Sequence, residues 1–155
     1  ITKCDGVKLE GGKKIINTIK TLVKNNIPVM GHIGVLPQSD KTFKFKGKKK
    51  SEKENIIRDA KLLEEAGAFS IVLECIETSL AKQVTKSINV PTIGIGASNN
   101  CDGQILVFDD LIGLNPIKVR FVKKYSNIKK EISKAVSKYS SEVKARKFPS
   151  KKYSY

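Results

Sequence analysis

Ser70-Ile71-Val72-Leu73-Glu74-Cys75 is an apolar run that closes on a carboxylate. Its length and branched residues read as a buried strand. Upstream, Val7-Lys8-Leu9-Glu10 and Val29-Met30-Gly31-His32 have the same form, an apolar stretch ending in a polar side chain. If the three are parallel strands of one α/β sheet, Lys8, Glu10, His32 and Glu74 gather at its carboxyl edge, where α/β folds place their sites.

The segments between these runs read as helices. After the Gly11-Gly12 turn, Ile15, Ile16, Ile19, Leu22 and Val23 follow helical spacing, and Asn25-Asn26 ends that helix. Ser51 and Glu54 have capping-box spacing ahead of the apolar face of Ile56, Ile57, Ala60 and Leu63, and Gly67 supplies the stop. Thr78 is the expected cap of a short helix carrying Leu80, Ala81 and Val84. A fourth strand is expected over Pro91 to Ala97 and a fifth over Ile105 to Phe108. From Asn127 onward, Ile128, Ile132, Ala135, Val136 and Tyr139 give a closing amphipathic helix.

Alternation along each strand assigns faces. Lys8 and Glu10 share one face with Val7 and Leu9 opposite; Met30 pairs with His32; Ser70, Val72 and Glu74 form a third set, opposite Ile71 and Leu73. Gly94 and Gly96 alternate with Ile93 and Ile95, leaving one face as bare backbone that suits close packing or a ligand. These facts fit a parallel β/α barrel with polar strand ends turned inward and aliphatic residues turned out toward the helices. A full barrel needs eight units and about 250 residues.

The composition sets bounds. The chain has 155 residues, 39% hydrophobic, which suits one globular domain with a real core. No apolar run approaches the ~20 residues of a membrane-spanning helix, and the opening has no secretory pattern, so the sequence reads as soluble. Lacking an initiator Met and running almost at once into a strand, it is expected to continue upstream. Cys4, Cys75 and Cys101 are odd in number and show no Cys-x-x-Cys spacing, so neither a disulfide framework nor a zinc site is indicated. The net charge of +15 comes from 30 basic residues of which only Arg58, Arg120 and Arg146 are arginine, concentrated in residues 41–53 and 118–152. Phosphate recognition leans on Arg forks and aromatic stacking as well as on Lys. The charge is therefore read as a solvated face, and nucleic acid is not an expected partner.

Five motifs stand in a telling order: Val7-Lys8-Leu9-Glu10-Gly11-Gly12, Gly31-His32-Ile33-Gly34-Val35-Leu36-Pro37-Gln38-Ser39, Val72-Leu73-Glu74-Cys75, Ile93-Gly94-Ile95-Gly96-Ala97 and Asp102-Gly103-Gln104-Ile105-Leu106-Val107. In order and spacing the chain resembles the ketopantoate hydroxymethyltransferase family over nearly its whole length. The resemblance implies an α/β fold, a (β/α)8 TIM barrel of the phosphoenolpyruvate/pyruvate-binding type. Residues 1–155 would be the carboxy-terminal part of that single domain, about its last five β/α units, with the first three strands absent. Two aspartates that bind magnesium in the family would be absent with them.

The implied activity is transfer of a hydroxymethyl group from 5,10-methylenetetrahydrofolate to the 2-oxo acid 3-methyl-2-oxobutanoate, giving 2-dehydropantoate for pantothenate and coenzyme A synthesis. Mg2+ chelates the 2-oxo acid in the family, which is cytoplasmic and homo-oligomeric, commonly decameric. By match to the family motifs, Glu74 is the expected base for the C3 proton, Lys8 and His32 the substrate-binding residues and Glu10 part of the metal site. Physical chemistry supports such roles. A proton α to a ketone needs a stabilised enolate, Lys8 can neutralise developing charge, and an apolar surround of Val72, Cys75 and Ile76 would raise the Glu74 pKa. His32, the only histidine, either touches substrate or serves as a structural hydrogen-bonding group.

The chain departs from the family pattern in residues 41–53, where Lys46 and Lys48 stand at positions usually held by Gln and Arg. Asp109 and Tyr153 each replace a common His. Two rival readings remain: a non-catalytic basic remnant that binds RNA or an acidic partner, and a C–C lyase acting on another 2-oxo acid.

Overall fold

The computed structural model describes residues 3–40 and 44–155; Ile1-Thr2 and the first three residues of the basic stretch 41–53 lie outside the described residues. The chain divides into two compact units, Ile1–Ile105 and Leu106–Tyr155.

The first unit is a run of β/α repeats: β1 (Val7–Glu10), α1 (Ile16–Lys24, entered through a 3-10 turn), β2 (Val29–Gly34), α2 (Lys50–Glu65), β3 (Ser70–Glu74), α3 (Thr78–Ser87), β4 (Thr92–Ile95) and β5 (Gly103–Gln104). The strands form one parallel sheet in the order β1-β2-β3-β4-β5, so sequence neighbours are spatial neighbours throughout. The first three parallel steps cross over through α1, α2 and α3, and β4 reaches β5 through residues 96–102 with no helix. The sheet is that of a partial β/α barrel, as expected.

The core lies between the sheet and these helices. Val29, Ile33, Ile71 and Leu73 from the strands pack with Ile19, Ile56, Ala60, Leu63, Leu80, Ala81 and Val84 from the helices. Those strand residues are the ones that alternation assigns to the helix-facing side, so burial of their aliphatic surface fixes the register and turns Lys8, Glu10, His32 and Glu74 to the other face. Glycine lets the layers approach. A side chain at Gly31 would begin 2.9 Å from Leu63 Cδ1, so α2 seats directly on the β2 backbone.

Several boundaries differ from the sequence expectations, each for a local reason. The cap of α2 is built on Lys49 with Glu52, not Ser51 with Glu54: Glu52 reaches back to accept the Gly47 N–H at 3.1 Å and the Lys49 N–H at 3.5 Å. Glu77, not Thr78, caps α3; its carboxylate accepts the Ser79 and Leu80 N–H groups at 3.0 and 3.1 Å and the Ser79 hydroxyl. β4 stops at Ile95 because Gly96 turns to φ +61°. The fifth strand is only Gly103–Gln104, ahead of the expected Ile105 to Phe108, and Phe108 instead opens a helix. The bare face of Gly94 is filled by packing: the Gln104 amide and Cys101 Sγ lie 3.0–3.1 Å from where its Cβ would stand.

Hydrogen bonds from Ser79 and Leu80 pull the Glu77 carboxyl down to about 2. A depressed carboxylate pKa stabilises the fold above its ordinary value of 4.5 and loses that contribution as pH falls through about 2. Glu77→Ala is therefore expected to cost about 1 kcal/mol near neutrality, the usual worth of a helix cap. Thermal melts of the two proteins should converge as the pH approaches 2.

The second unit comprises α4 (Phe108–Leu111), α5 (Ile128–Lys144) and a 3-10 turn at Lys151–Tyr153. Asn127 caps α5 by accepting the Lys130 N–H at 3.2 Å, as its position predicts. Past α5, Phe148 packs edge-on to Tyr139 with ring centroids 5.5 Å apart.

Candidate active site

The residue-by-residue pairing of β1, β2 and β3 builds the site. Glu10 lies opposite His32, His32 opposite Val72, and Gly34 opposite Glu74. Because side chains two apart share a face, Lys8, Glu10, His32, Val72 and Glu74 all project from the side away from the helices, toward the carboxyl ends of the strands. Lys8, Glu10, His32 and Glu74, expected to meet at this edge, are brought together.

The imidazole sits at the centre. Lys8 Nζ is 3.1 Å from His32 Nδ1, and His32 Nε2 is 3.1 Å from Glu74 Oε2. An ammonium can only donate, so Nδ1 accepts and the ring proton resides on Nε2, facing the carboxylate. That Nε2–H approaches Glu74 closely without hydrogen-bond alignment, and it is a buried polar atom with no aligned partner. His32 is 2% exposed and Glu74 8%.

Burial sets the charge states. The His32 pKa falls from 6.5 to about 4, through desolvation first and the adjacent Lys8 charge second, against an opposing pull from Glu10 and the Val35 backbone. The ring is neutral near pH 7. Glu74 moves the other way: desolvation, then repulsion from Glu10, raises its pKa, with Lys8 pulling it back. A carboxylate of raised pKa is a stronger base than an exposed one. Cys75, next in the chain, is buried and its thiol is pushed up to about 11 by desolvation and the Glu74 charge, so it is no nucleophile near neutral pH.

Turns that sequence reading missed hold these groups. Gly34 adopts φ +102° at the end of β2, and the chain then runs so that Val35 N–H donates to the Glu74 carbonyl at 2.9 Å. Cys75 takes a left-handed φ of 48°, its N–H bonded to the Ile95 carbonyl and its own carbonyl to the Lys46 N–H. A non-glycine residue in that region is uncommon and persists where surrounding bonds enforce it. The glycine at 34 is visible in the sequence, whereas the strain at Cys75 has no compositional signature.

Magnesium finds no site among the described residues alone, where no group of three or more His, Cys, Asp or Glu side chains is placed to hold a metal ion. Glu10, the expected ligand, gives Oε2 to the Gln38 N–H at 3.0 Å, while Oε1 faces two nitrogens, Lys8 Nζ at 3.7 Å and His32 Nδ1 at 3.8 Å. Mg2+ asks for an octahedron of oxygens, which one carboxylate among nitrogen atoms does not offer.

Comparison with known proteins bears on this arrangement. The family model described as ketopantoate hydroxymethyltransferase matches residues 1–151. The chain belongs to the ketopantoate hydroxymethyltransferase family. Among relatives named 3-methyl-2-oxobutanoate hydroxymethyltransferase, that of Pelagibacter ubique is 68% identical over 154 residues, covering 99% of this chain and 60% of the relative. That of Clostridium kluyveri is 54% identical, covering 96% of this chain and 55% of the relative. The Prosthecochloris aestuarii relative is 48% identical, covering 99% and 57%. The chain thus spans a little over half the length of the family members it matches. No helix among the described residues is long and apolar enough to cross a membrane.

Proposed function

We propose that the protein carrying this chain transfers a hydroxymethyl group from 5,10-methylenetetrahydrofolate to 3-methyl-2-oxobutanoate, with residues 1–155 forming the carboxy-terminal part of one β/α barrel domain. The observation that carries the reading is the line Lys8–His32–Glu74, with its two 3.1 Å spacings, the imidazole and the carboxylate buried and the Lys8 side chain open to solvent. It sets a cation, a neutral imidazole and a strengthened carboxylate base along one wall of the site.

In this reading Glu74 removes the C3 proton of the 2-oxo acid, and the freed electron pair moves onto the carbonyl oxygen as an enolate. Lys8, whose side chain is open to solvent, binds the negative charge of the substrate as a cation facing the developing enolate. His32 keeps its proton on Nε2, beside Glu74, and as a neutral ring leaves the carboxylate free to accept the substrate proton. The enolate carbon then bonds to the one-carbon unit of the folate, whose two C–N bonds break to release tetrahydrofolate, and water supplies the hydroxyl oxygen of the product. A magnesium ion chelating the 2-oxo acid would need oxygen ligands beyond the described residues, and no step here is drawn through it.

The direct test is formation of 2-dehydropantoate by the intact protein when supplied with both substrates. Turnover of 3-methyl-2-oxobutanoate only in the presence of the folate supports the reading; folate-independent cleavage of another 2-oxo acid would favour the lyase rival. The pH dependence is a second check. The rate should climb as Glu74 loses its proton, at a pH above the ordinary 4.5, with no separate inflection from His32 near neutrality, because its ring is already neutral there. The same reading carries the expectation of a cytoplasmic homo-oligomer. Cys75 and Cys101, free thiols, are compatible with a reducing compartment.

A further inference from the structure

Glu10 has a second task visible in its contacts. The segment after β2 leaves the sheet at Gly34 and must cross the carboxyl edge before α2 begins at Lys50. Its described part is tied down at several points. Val35 N–H bonds to the Glu74 carbonyl at 2.9 Å, and Leu36 to Ser39 close a turn through the Ser39 N–H at 2.9 Å. Asp40 accepts the Leu36 N–H at 3.1 Å and pairs with Lys46 Nζ at 3.2 Å. Lys46 donates its N–H to the Cys75 carbonyl and accepts the Glu77 N–H. All of these ties run within the segment or to β3 and the turn that follows it. One runs the opposite way: Gln38 N–H donates to Glu10 Oε2 at 3.0 Å, fastening the turn to β1.

We infer that Glu10 is a positioning residue that latches the turn Leu36–Ser39 across the carboxyl edge of the sheet, a role separate from metal ligation. The carboxylate suits the task. Its side chain is 7% exposed, and an amide donating to an ionised acceptor forms a stronger bond than one donating to a neutral group. With Oε2 on the turn and Oε1 toward Lys8 and His32, Glu10 joins the placement of the turn to the groups assigned to substrate. The turn then spans from Glu10 on β1 to the Glu74 carbonyl on β3, passing the end of the strand that bears His32. For its consequence in turnover the inference rests on the proposed function; the latch itself does not.

The test is amide hydrogen exchange at Gln38, referenced to the Leu73 amide in the buried strand β3, in the intact protein and in Glu10→Gln and Glu10→Ala. A glutamine carbonyl can still accept the Gln38 N–H although the charge is gone, whereas alanine offers nothing. The expected result is exchange about tenfold faster relative to Leu73 in Glu10→Ala, the equivalent of one lost hydrogen bond, with Glu10→Gln within about threefold of the unsubstituted protein. Unchanged exchange in Glu10→Ala, or Glu10→Gln exchanging as fast as Glu10→Ala, would overturn the latch. Turnover measured on the same unsubstituted sample reports on the other reading: no hydroxymethyl transfer by a protein whose Gln38 amide depends on Glu10 would remove the proposed function and leave the latch standing.

Discussion

Glu74→Gln should lower proton abstraction from C3 of 3-methyl-2-oxobutanoate by about 10²-fold to 10⁴-fold, the usual worth of a positioned general base, while making the folded protein more stable near neutral pH. The two effects share one cause. Burial and the nearby Glu10 charge raise the Glu74 pKa, so the ionised carboxylate is less comfortable in the folded protein than in the unfolded chain. A carboxyl group raised in this way contributes its stability below the unfolded value of about 4.5 and loses it as pH rises through the folded value. At pH 7 the carboxylate is thus a net cost, which the neutral amide removes. Melting temperatures should favour the Gln variant near pH 7, and the difference should shrink below about pH 4. A variant equally inactive but less stable at pH 7 would mean that Glu74 is held by structural bonds and not strained toward basicity.

Gly34→Ala is the second large effect, and it acts on the fold. The glycine sits at φ +102°, and a Cβ there would lie 2.1 Å from the Glu74 carbonyl oxygen and 2.8 Å from Ile76 Cγ2. Backbone cannot swing away as the end of a flexible side chain can. The clash must be relieved by parting β2 from β3 at their carboxyl ends, which also breaks the bond from Val35 N–H to Glu74. A loss of about 3 kcal/mol or more is expected, in the class of large single-residue effects caused by an incompatible backbone. It would be read as a fall in the denaturant midpoint. Should the midpoint move by less than the equivalent of about 1 kcal/mol, the end of β2 must be far more pliant than its bonding implies.

These two residues show what the sequence disclosed and what it withheld. The β/α alternation was legible because apolar spacing switches between the periods of strand and helix, and the core demanded by Ile33, Ile71 and Leu73 left their neighbours only one face to occupy. That same logic brings Lys8, Glu10, His32 and Glu74 together on the opposite face. Caps and ends were less legible. Glu52 caps its helix from a position that also suits an ordinary first-turn carboxylate, Glu77 caps from just before α3, and the choice between them and Ser51 or Thr78 depends on how the preceding loop arrives. The fifth strand was misplaced because Ile105, Val107 and Phe108 have strand-like composition, yet ladder pairing with β4 ends at Gln104. Within the site, the gathering of residues could be inferred but its wiring could not. The central place of His32, the Gln38 N–H on Glu10 and the left-handed Cys75 arise from tertiary bonds that no spacing encodes.

The proposed mechanism depends on Glu74 as a base acting in the Lys8–His32–Glu74 line, and isotope exchange probes that step without requiring the whole reaction. The intact protein, incubated with 3-methyl-2-oxobutanoate in D2O without folate, should incorporate deuterium at C3, with the rate rising as Glu74 ionises. Glu74→Gln should reduce the incorporation to near the solvent background. Exchange at the same rate in the Gln variant and the unsubstituted protein would contradict the assignment of Glu74 and the mechanism built on it.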